Sequence, residues 1–268
     1  MAKNTPVHLF DILSAVPGPS KAWSPNTLKT RISLNYKQIP YTQTYVSYPD
    51  IAPILRSLSV PPHPEGTART AYTLPAITHP SITATPSGTI MDSFPIAHHL
   101  EEIFPERPLF PSGDSSLELA QKVQGIVGRA SVAVYTLLLP SIVKILDPRG
   151  QEFYNRTRTA MFGKPLAEVA PTDPEVVREM IEKMKKEMAP IVEILKENTG
   201  GPFLEGETPG YADFIVESFL IWWKFADEKL WEEIVGLGDG EIKVLWDAVW
   251  PWVEGQGVDK EWEIPKEG

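Results

Sequence analysis

The chain has 268 residues, 42% of them hydrophobic, with 35 acidic and 25 basic side chains and a formal net charge of −10. That is enough apolar material for one large domain or two ordinary ones, and the wrong sign of charge for gripping a phosphate backbone, which argues against nucleic acid as a partner. Cysteine is absent, so disulfides, thiolate zinc sites, cysteine nucleophiles and thiol exchange by the protein's own side chains are excluded, and any thiol in its chemistry has to be brought in.

Residues 7–12 alternate in a β-rich way and predict a first strand, followed by a loop in which Pro17, Gly18 and Pro19 break any helix. Residues 25–37 place Leu28, Ile32 and Tyr36 on one helical stripe, with Lys29 and Arg31 off it. A strand at 41–47, a short helix at 49–58 and a proline-rich loop at 59–72 come next. Two further strands are predicted at 73–78 and 89–91, separated by the turn-forming Thr85, Pro86, Ser87 and Gly88. A helix at 92–103 with Ile96, Leu100 and Ile103 inward closes the unit. The order βαβαββα is that of a thioredoxin-like fold.

From Leu117 the pattern changes to 3.6-residue periods at 117–146, 151–162, 174–198, 210–226 and 241–253, which predicts an all-α bundle. The expected organisation is a thioredoxin-like domain at 1–104, a linker at 105–116 and a helical domain at 117–268. The longest apolar stretch, 131–146, is interrupted by Pro140, Ser141 and Lys144 and falls short of the roughly 20 apolar residues that cross a bilayer, so it reads as a buried helix and no membrane partner is expected. The first residues lack the basic and apolar regions of a secretory signal, which points to the cytoplasm. Met180, Met184 and Met188 share one helix face and are assigned to packing, as are Trp222, Trp223, Trp246 and Trp250.

Three fragments stand out as chemistry. Ser24-Pro25 is an ordinary helix start, Ser at the N-cap and Pro at the first helical position, but the same hydroxyl can donate to a bound thiolate at the positive end of the helix dipole. Lowering a thiol pKa from about 8.5 to about 6.5 takes roughly 2.7 kcal/mol. A hydrogen bond to a charged group supplies about 1.5 to 3 kcal/mol and a helix end about 0.3 to 1, so the two together suffice. Leu74-Pro75 interrupts a strand with a residue that cannot donate to a ladder; a cis bond there would turn the Leu74 N–H and C=O outward to pair with an extended peptide. Asp92-Ser93 starts the next helix, where free N–H groups and the Ser93 hydroxyl can take a carboxylate and Asp92 an ammonium. A γ-glutamyl group carries both charges. The five histidines include no pair four residues apart, so a metal site is not expected.

Together, Ser24-Pro25, Leu74-Pro75, Asp92-Ser93 and a helical remainder resemble a glutathione transferase over essentially the whole chain. Trp-Ser-Pro-Asn-Thr at 23–27, Tyr-Pro-Asp-Ile at 48–51 and Tyr-Thr-Leu-Pro-Ala-Ile at 72–77 are similar to the fungal serine-type class related to bacterial lignin β-aryl etherases. The resemblance implies that Ser24 activates the glutathione thiol and that Leu74 beside a cis Pro75 binds the cysteinyl backbone. It also implies that Asp92 and Ser93 hold the γ-glutamyl end, that Trp23 and Asn26 belong to the same motif, and that the protein is a homodimer. Arg69, just before the third strand, is a candidate for the glycyl carboxylate. The second substrate is expected to be hydrophobic or aromatic, bound between the first helix and the bundle, with Ser131 and Tyr135 as candidate wall residues. Two functions compete: conjugation or ether cleavage of such an electrophile in detoxification, and a ligandin-type carrier that binds plant phenolics with little turnover. The chain departs from the family pattern in a longer loop at 14–22 and in Gly210, which stands where Ser or Thr normally precedes an Asp by three residues.

Overall fold

The computed structural model describes residues 5–66, 68, 70–198, 200–255 and 257–265. They form two compact units. The first contains the described residues up to Pro108, the segment Leu146–Phe153 and those from Val253 onward; the second contains Leu109–Ile145 and Tyr154–Trp252.

The first unit is built on a sheet of order β4-β3-β1-β2-β5, formed by β1 (Val7–Ile12), β2 (Tyr41–Val46), β3 (Ala76–Thr78), β4 (Thr89–Met91) and β5 (Val258–Asp259). Helices α1 (Pro25–Tyr36), α2 (Ile51–Ser57) and α3 (Ser93–Ile103) connect and cover it. β1 pairs parallel with β2 and antiparallel with β3, and β3 pairs antiparallel with β4. Val7, Leu9 and Phe10 are fully buried, as are Leu28 and Ile32 of α1 and Ile96 and Leu100 of α3. β3 starts at Ala76 rather than at residue 73, consistent with Pro75 having no N–H to give a neighbouring strand.

α1 is buried on nearly all sides, which corrects the amphipathic reading: Lys29 is 3% exposed and Arg31 is fully enclosed. Arg31 donates Nε and an NH2 group to Asp11 Oδ2 at 3.2 and 2.7 Å, and its other hydrogens reach Gln43 Oε1, Tyr41 Oη and Tyr45 Oη. A cation can sit in that interior because its donors are met by partners from β1 and β2.

The long loop after β1 is ordered from within. Ser14 Oγ donates to the Lys21 carbonyl at 2.9 Å and accepts from the Val16 N–H, and Gly18–Lys21 forms a single 3-10 turn. Two segments expected in the bundle belong to this unit instead. Ser47 Oγ donates to the Asp147 carboxylate, and Arg149 makes a bidentate pair with Asp50 at 2.7 Å per bond. Beyond Val253 the chain returns to the sheet, where β5 runs parallel to β2, the Lys260 N–H bonds the Gln43 carbonyl and Trp262 stacks on His8.

The second unit contains α4 (Asp114–Val143), most of α5 (Pro148–Phe162), α6 (Pro174–Glu197), α7 (Tyr211–Ala226), α8 (Glu228–Val235) and all but the last residue of α9 (Glu241–Val253). α4 packs against α6 and α7. It begins earlier than the periodicity suggests, and at 30 residues it is long and apolar enough to cross a membrane by length and composition, with half of its most apolar window buried inside the fold. Met184 and Met188 are fully buried and Met180 is half-buried. Leu109 belongs here rather than to a linker: it is fully buried and its carbonyl accepts the Tyr211 N–H at 2.8 Å.

α7 is anchored at its start by Asp213, whose two oxygens accept the Gly210 N–H at 2.7 Å and the Leu204 N–H at 2.8 Å. The space beside the glycine is tight. A Cβ at position 210 would lie 3.0 Å from a Glu205 carboxylate oxygen and 3.4 Å from the Leu109 carbonyl.

Candidate active site

The sheet topology gathers the sequence-predicted residues of the first unit at one end. β1 runs toward that end and feeds the loop to Ser24; β3 runs the opposite way and so begins there; β4 runs with β1 and ends there. Phe10, Ala76 and Met91 are in register across the three strands. The segments just past them, the chain leading to Ser24, Leu74-Pro75 and Asp92-Ser93, therefore share one edge.

Ser24 is the N-cap of α1, with extended backbone (φ −72°, ψ 128°) and Pro25 in the first turn. Its carbonyl accepts the Leu28 N–H at 2.9 Å and the Thr27 hydroxyl at 3.3 Å. Its own hydroxyl makes no capping hydrogen bond, so the first N–H groups of the helix and the Ser24 Oγ–H are both left for a ligand. The residue is 3% exposed, and its oxygen is not among the fully enclosed polar atoms. Trp23 beside it is also buried, with an indole N–H that is enclosed and has no hydrogen-bond partner among the described residues. Asn26 is exposed and accepts from Lys29 Nζ through Oδ1 at 3.2 Å.

The Leu74-Pro75 bond is cis. Among the described residues neither the N–H nor the C=O of Leu74 takes a backbone partner, whereas the Pro75 carbonyl accepts the Asp92 N–H at 3.0 Å. That bond ties two parts of the site together.

Asp92 is the N-cap of α3 and adopts φ 82°, ψ 137°, a conformation L-residues with side chains rarely take. Such a backbone costs on the order of 1 to 3 kcal/mol and persists where the surroundings determine it. Here the N–H is held by Pro75 and the carbonyl by the Ile96 N–H at 3.1 Å. One carboxylate oxygen accepts the Ser93 N–H at 2.7 Å. This alters the expected role of the helix start: the first N–H is already taken by Asp92 and Pro95 has none, so the turn offers a ligand fewer donors than its sequence suggests. The other Asp92 oxygen and the buried Ser93 hydroxyl take no partner among the described residues.

Arg69 lies outside the described residues. Ser131 and Tyr135 stand one turn apart on α4 in the second unit. Ser131 is 6% exposed, with its Oγ enclosed and without a partner among the described residues, and Tyr135 is half-buried. Among the described residues no three His, Asp or Glu side chains converge as a metal site requires. The sequence signals Lys29 only through its place three residues after Asn26, which puts the two on one helix face.

A thioredoxin-type sheet with a cis-proline at the start of β3, two helix N-termini at the same end and an all-α remainder define the class of protein. Residues 23–103 match the glutathione S-transferase N-terminal domain and residues 121–252 the glutathione S-transferase C-terminal domain. The chain belongs to the glutathione transferase family. It is 51% identical over 269 residues to the glutathione S-transferase-like protein ustS of Aspergillus flavus, across 98% of this chain and 97% of that protein. Among solved structures it is similar to a glutathione S-transferase of Ceriporiopsis subvermispora in complex with glutathione, at 29% identity, a TM-score of 0.80 and coverage of 92% and 98% of the two chains. It is also similar to GSTFuA3 from Phanerochaete chrysosporium, at 27% identity, a TM-score of 0.77 and coverage of 95% and 99%.

Proposed function

We propose that this glutathione transferase works through Ser24, whose hydroxyl donates to the sulfur of bound glutathione and holds it as the thiolate. In this reading the Leu74 N–H and C=O pair with the cysteinyl backbone, Asp92 takes the γ-glutamyl ammonium, and Ser93 with the start of α3 takes its carboxylate. Trp23 and Asn26 flank the sulfur, and Arg69 is assigned to the glycyl carboxylate from its sequence position. The thiol proton leaves to solvent. The sulfur lone pair then forms a C–S bond to a hydrophobic or aromatic electrophile, and either a leaving group departs with its bonding electrons, as an aryl ether does, or an added carbanion takes up a proton. Holding both partners in one site adds to the effect of the lowered thiol pKa.

The observation that carries this reading is a helix start whose serine hydroxyl makes no capping bond, at the same sheet end as a Leu74 backbone without a backbone partner among the described residues and a conformationally constrained Asp92. The experiment titrates the thiolate absorbance of bound glutathione against pH in the wild type and Ser24→Ala, alongside conjugation rates. Loss of a hydrogen bond worth about 1.5 to 3 kcal/mol raises the thiol pKa by about one to two and slows turnover about tenfold to a hundredfold below that pKa. An unchanged titration curve refutes the role of Ser24, and tight binding of phenolics with negligible turnover identifies a carrier.

A further inference from the structure

Lys29 occupies a position that needs explaining. It lies on the second turn of α1 and is 3% exposed, so both burial and the positive end of the helix dipole work against its charge. Burial lowers its pKa to about 8, and the Asp92 carboxylate opposes that fall. The ammonium therefore sits near the helix start at Ser24 and is influenced by the carboxylate that caps α3.

Its contact with Asn26 has a definite sense. A lysine ammonium only donates, so the amide atom 3.2 Å from it is the oxygen. Because the amide is planar, fixing Oδ1 toward Lys29 turns the NH2 group away from it, on an exposed side chain two residues from Ser24. We propose that Lys29 is a positioning residue of the thiolate site: it holds the Asn26 amide so that the NH2 group serves as a second hydrogen-bond donor to the glutathione sulfur. This rests on the serine reading above. Asn26 then touches the substrate, and Lys29 acts through it.

The test uses the full chain with glutathione and the same thiolate titration, in Lys29→Met, Lys29→Gln, Asn26→Ala and the Lys29→Met/Asn26→Ala double variant. At a pH below the wild-type thiol pKa, Lys29→Met and Asn26→Ala are each expected to reduce the bound thiolate fraction about tenfold. The double variant should be no worse than either alone, as for residues acting in series. Lys29→Gln can still donate to Oδ1 and is expected to keep the larger part of the thiolate. An unaltered titration in Lys29→Met, a fully additive double variant, or a glutamine variant as deficient as the methionine one each overturns the proposal. Should Lys29→Met fail to fold, Asn26→Ala at its exposed position decides alone, and a normal titration there is fatal. If Ser24→Ala raises the thiol pKa while Lys29→Met does not, the serine reading stands and the lysine one falls; if Ser24→Ala has no effect, the serine reading itself is lost.

Discussion

The ion pair that fastens α1 to the sheet can be tested by removing one partner and then both. Asp11 and Arg31 are fully enclosed and 2.7 Å apart. Burial lowers the basicity of the guanidinium, and Asp11, Tyr41 and Tyr45 more than reverse this, holding it charged. Asp11→Leu strands that charge without its counter-ion, which costs about 3 to 5 kcal/mol in buried pairs, at least about a fifth of the roughly 5 to 15 kcal/mol that keeps a typical domain folded. In Asp11→Leu/Arg31→Met no stranded charge remains. Tyr41 keeps its hydrogen bond to Asn35 and Gln43 keeps its bond to Asp259, so two debts remain: the Ile12 N–H that Asp11 Oδ1 accepted, lost equally in the single variant, and one Gln43 carbonyl oxygen, worth about 1 to 3 kcal/mol each and set against the better packing of apolar side chains. The double variant should therefore be more stable than the single by about 2 kcal/mol or more. Chemical denaturation measures the total, and amide hydrogen exchange across the β1–β2 ladder isolates the first unit. A single variant within about 1 kcal/mol of wild type, or a double variant as unstable as the single, would show that the pair does not hold the helix.

Asp213→Ala removes the acceptor of two buried N–H groups, those of Leu204 and Gly210; the expected loss is about 2 to 4 kcal/mol in denaturation, with Asp213→Asn intermediate, and a loss below about 1 kcal/mol would contradict the anchoring role. Glu217 on α7 is fully enclosed, neither of its oxygens has a partner among the described residues, and its pKa is raised well above the ordinary carboxyl value by burial first and by Asp247 second. A raised carboxyl pKa means the folded state keeps its proton when the unfolded chain has lost it, so stability is full below the unfolded value of 4.5 and falls as pH rises from there toward the folded pKa. Glu217→Gln should abolish that decline, and melting temperatures of the two proteins that run parallel from pH 4.5 upward would contradict it.

The elements legible in the sequence are those whose signal is local. β1 and α9 are found at the expected residues because alternation and a 3.6-residue period declare them, and α6 and α7 differ by a residue at one end. α8 has no such signal: it has eight residues, too few for periodicity to register, and depends on the Asp227 side chain capping the N–H groups of Lys229 and Leu230. β5 is silent in the sequence for a different reason. It is a two-residue strand with Val258 largely exposed, and only pairing with β2, more than 200 residues away, makes it a strand at all.

The candidate site divides along the same line. The placement of Ser24, Leu74-Pro75 and Asp92-Ser93 at turns into or out of their elements is legible because a serine before a proline, a proline inside a strand and an aspartate before a helix each disturb the local chain in a recognisable way. What could not be read is which charges the fold would choose to bury. Lys29 and Arg31 lie off the apolar stripe of α1 and have the composition of a solvated face, yet both are enclosed: Asp11 meets Arg31 from β1, and the Asp92 carboxylate at the start of α3 opposes the fall in basicity that burial imposes on Lys29. Neither carboxylate is a helical neighbour. The helix that presents Ser24 is thus held electrostatically from the strand before it and influenced from the helix start across the sheet end. If glutathione binds as proposed, altering Asp92 should disturb its γ-glutamyl end and its sulfur end together, a coupling that no single fragment of the sequence contains.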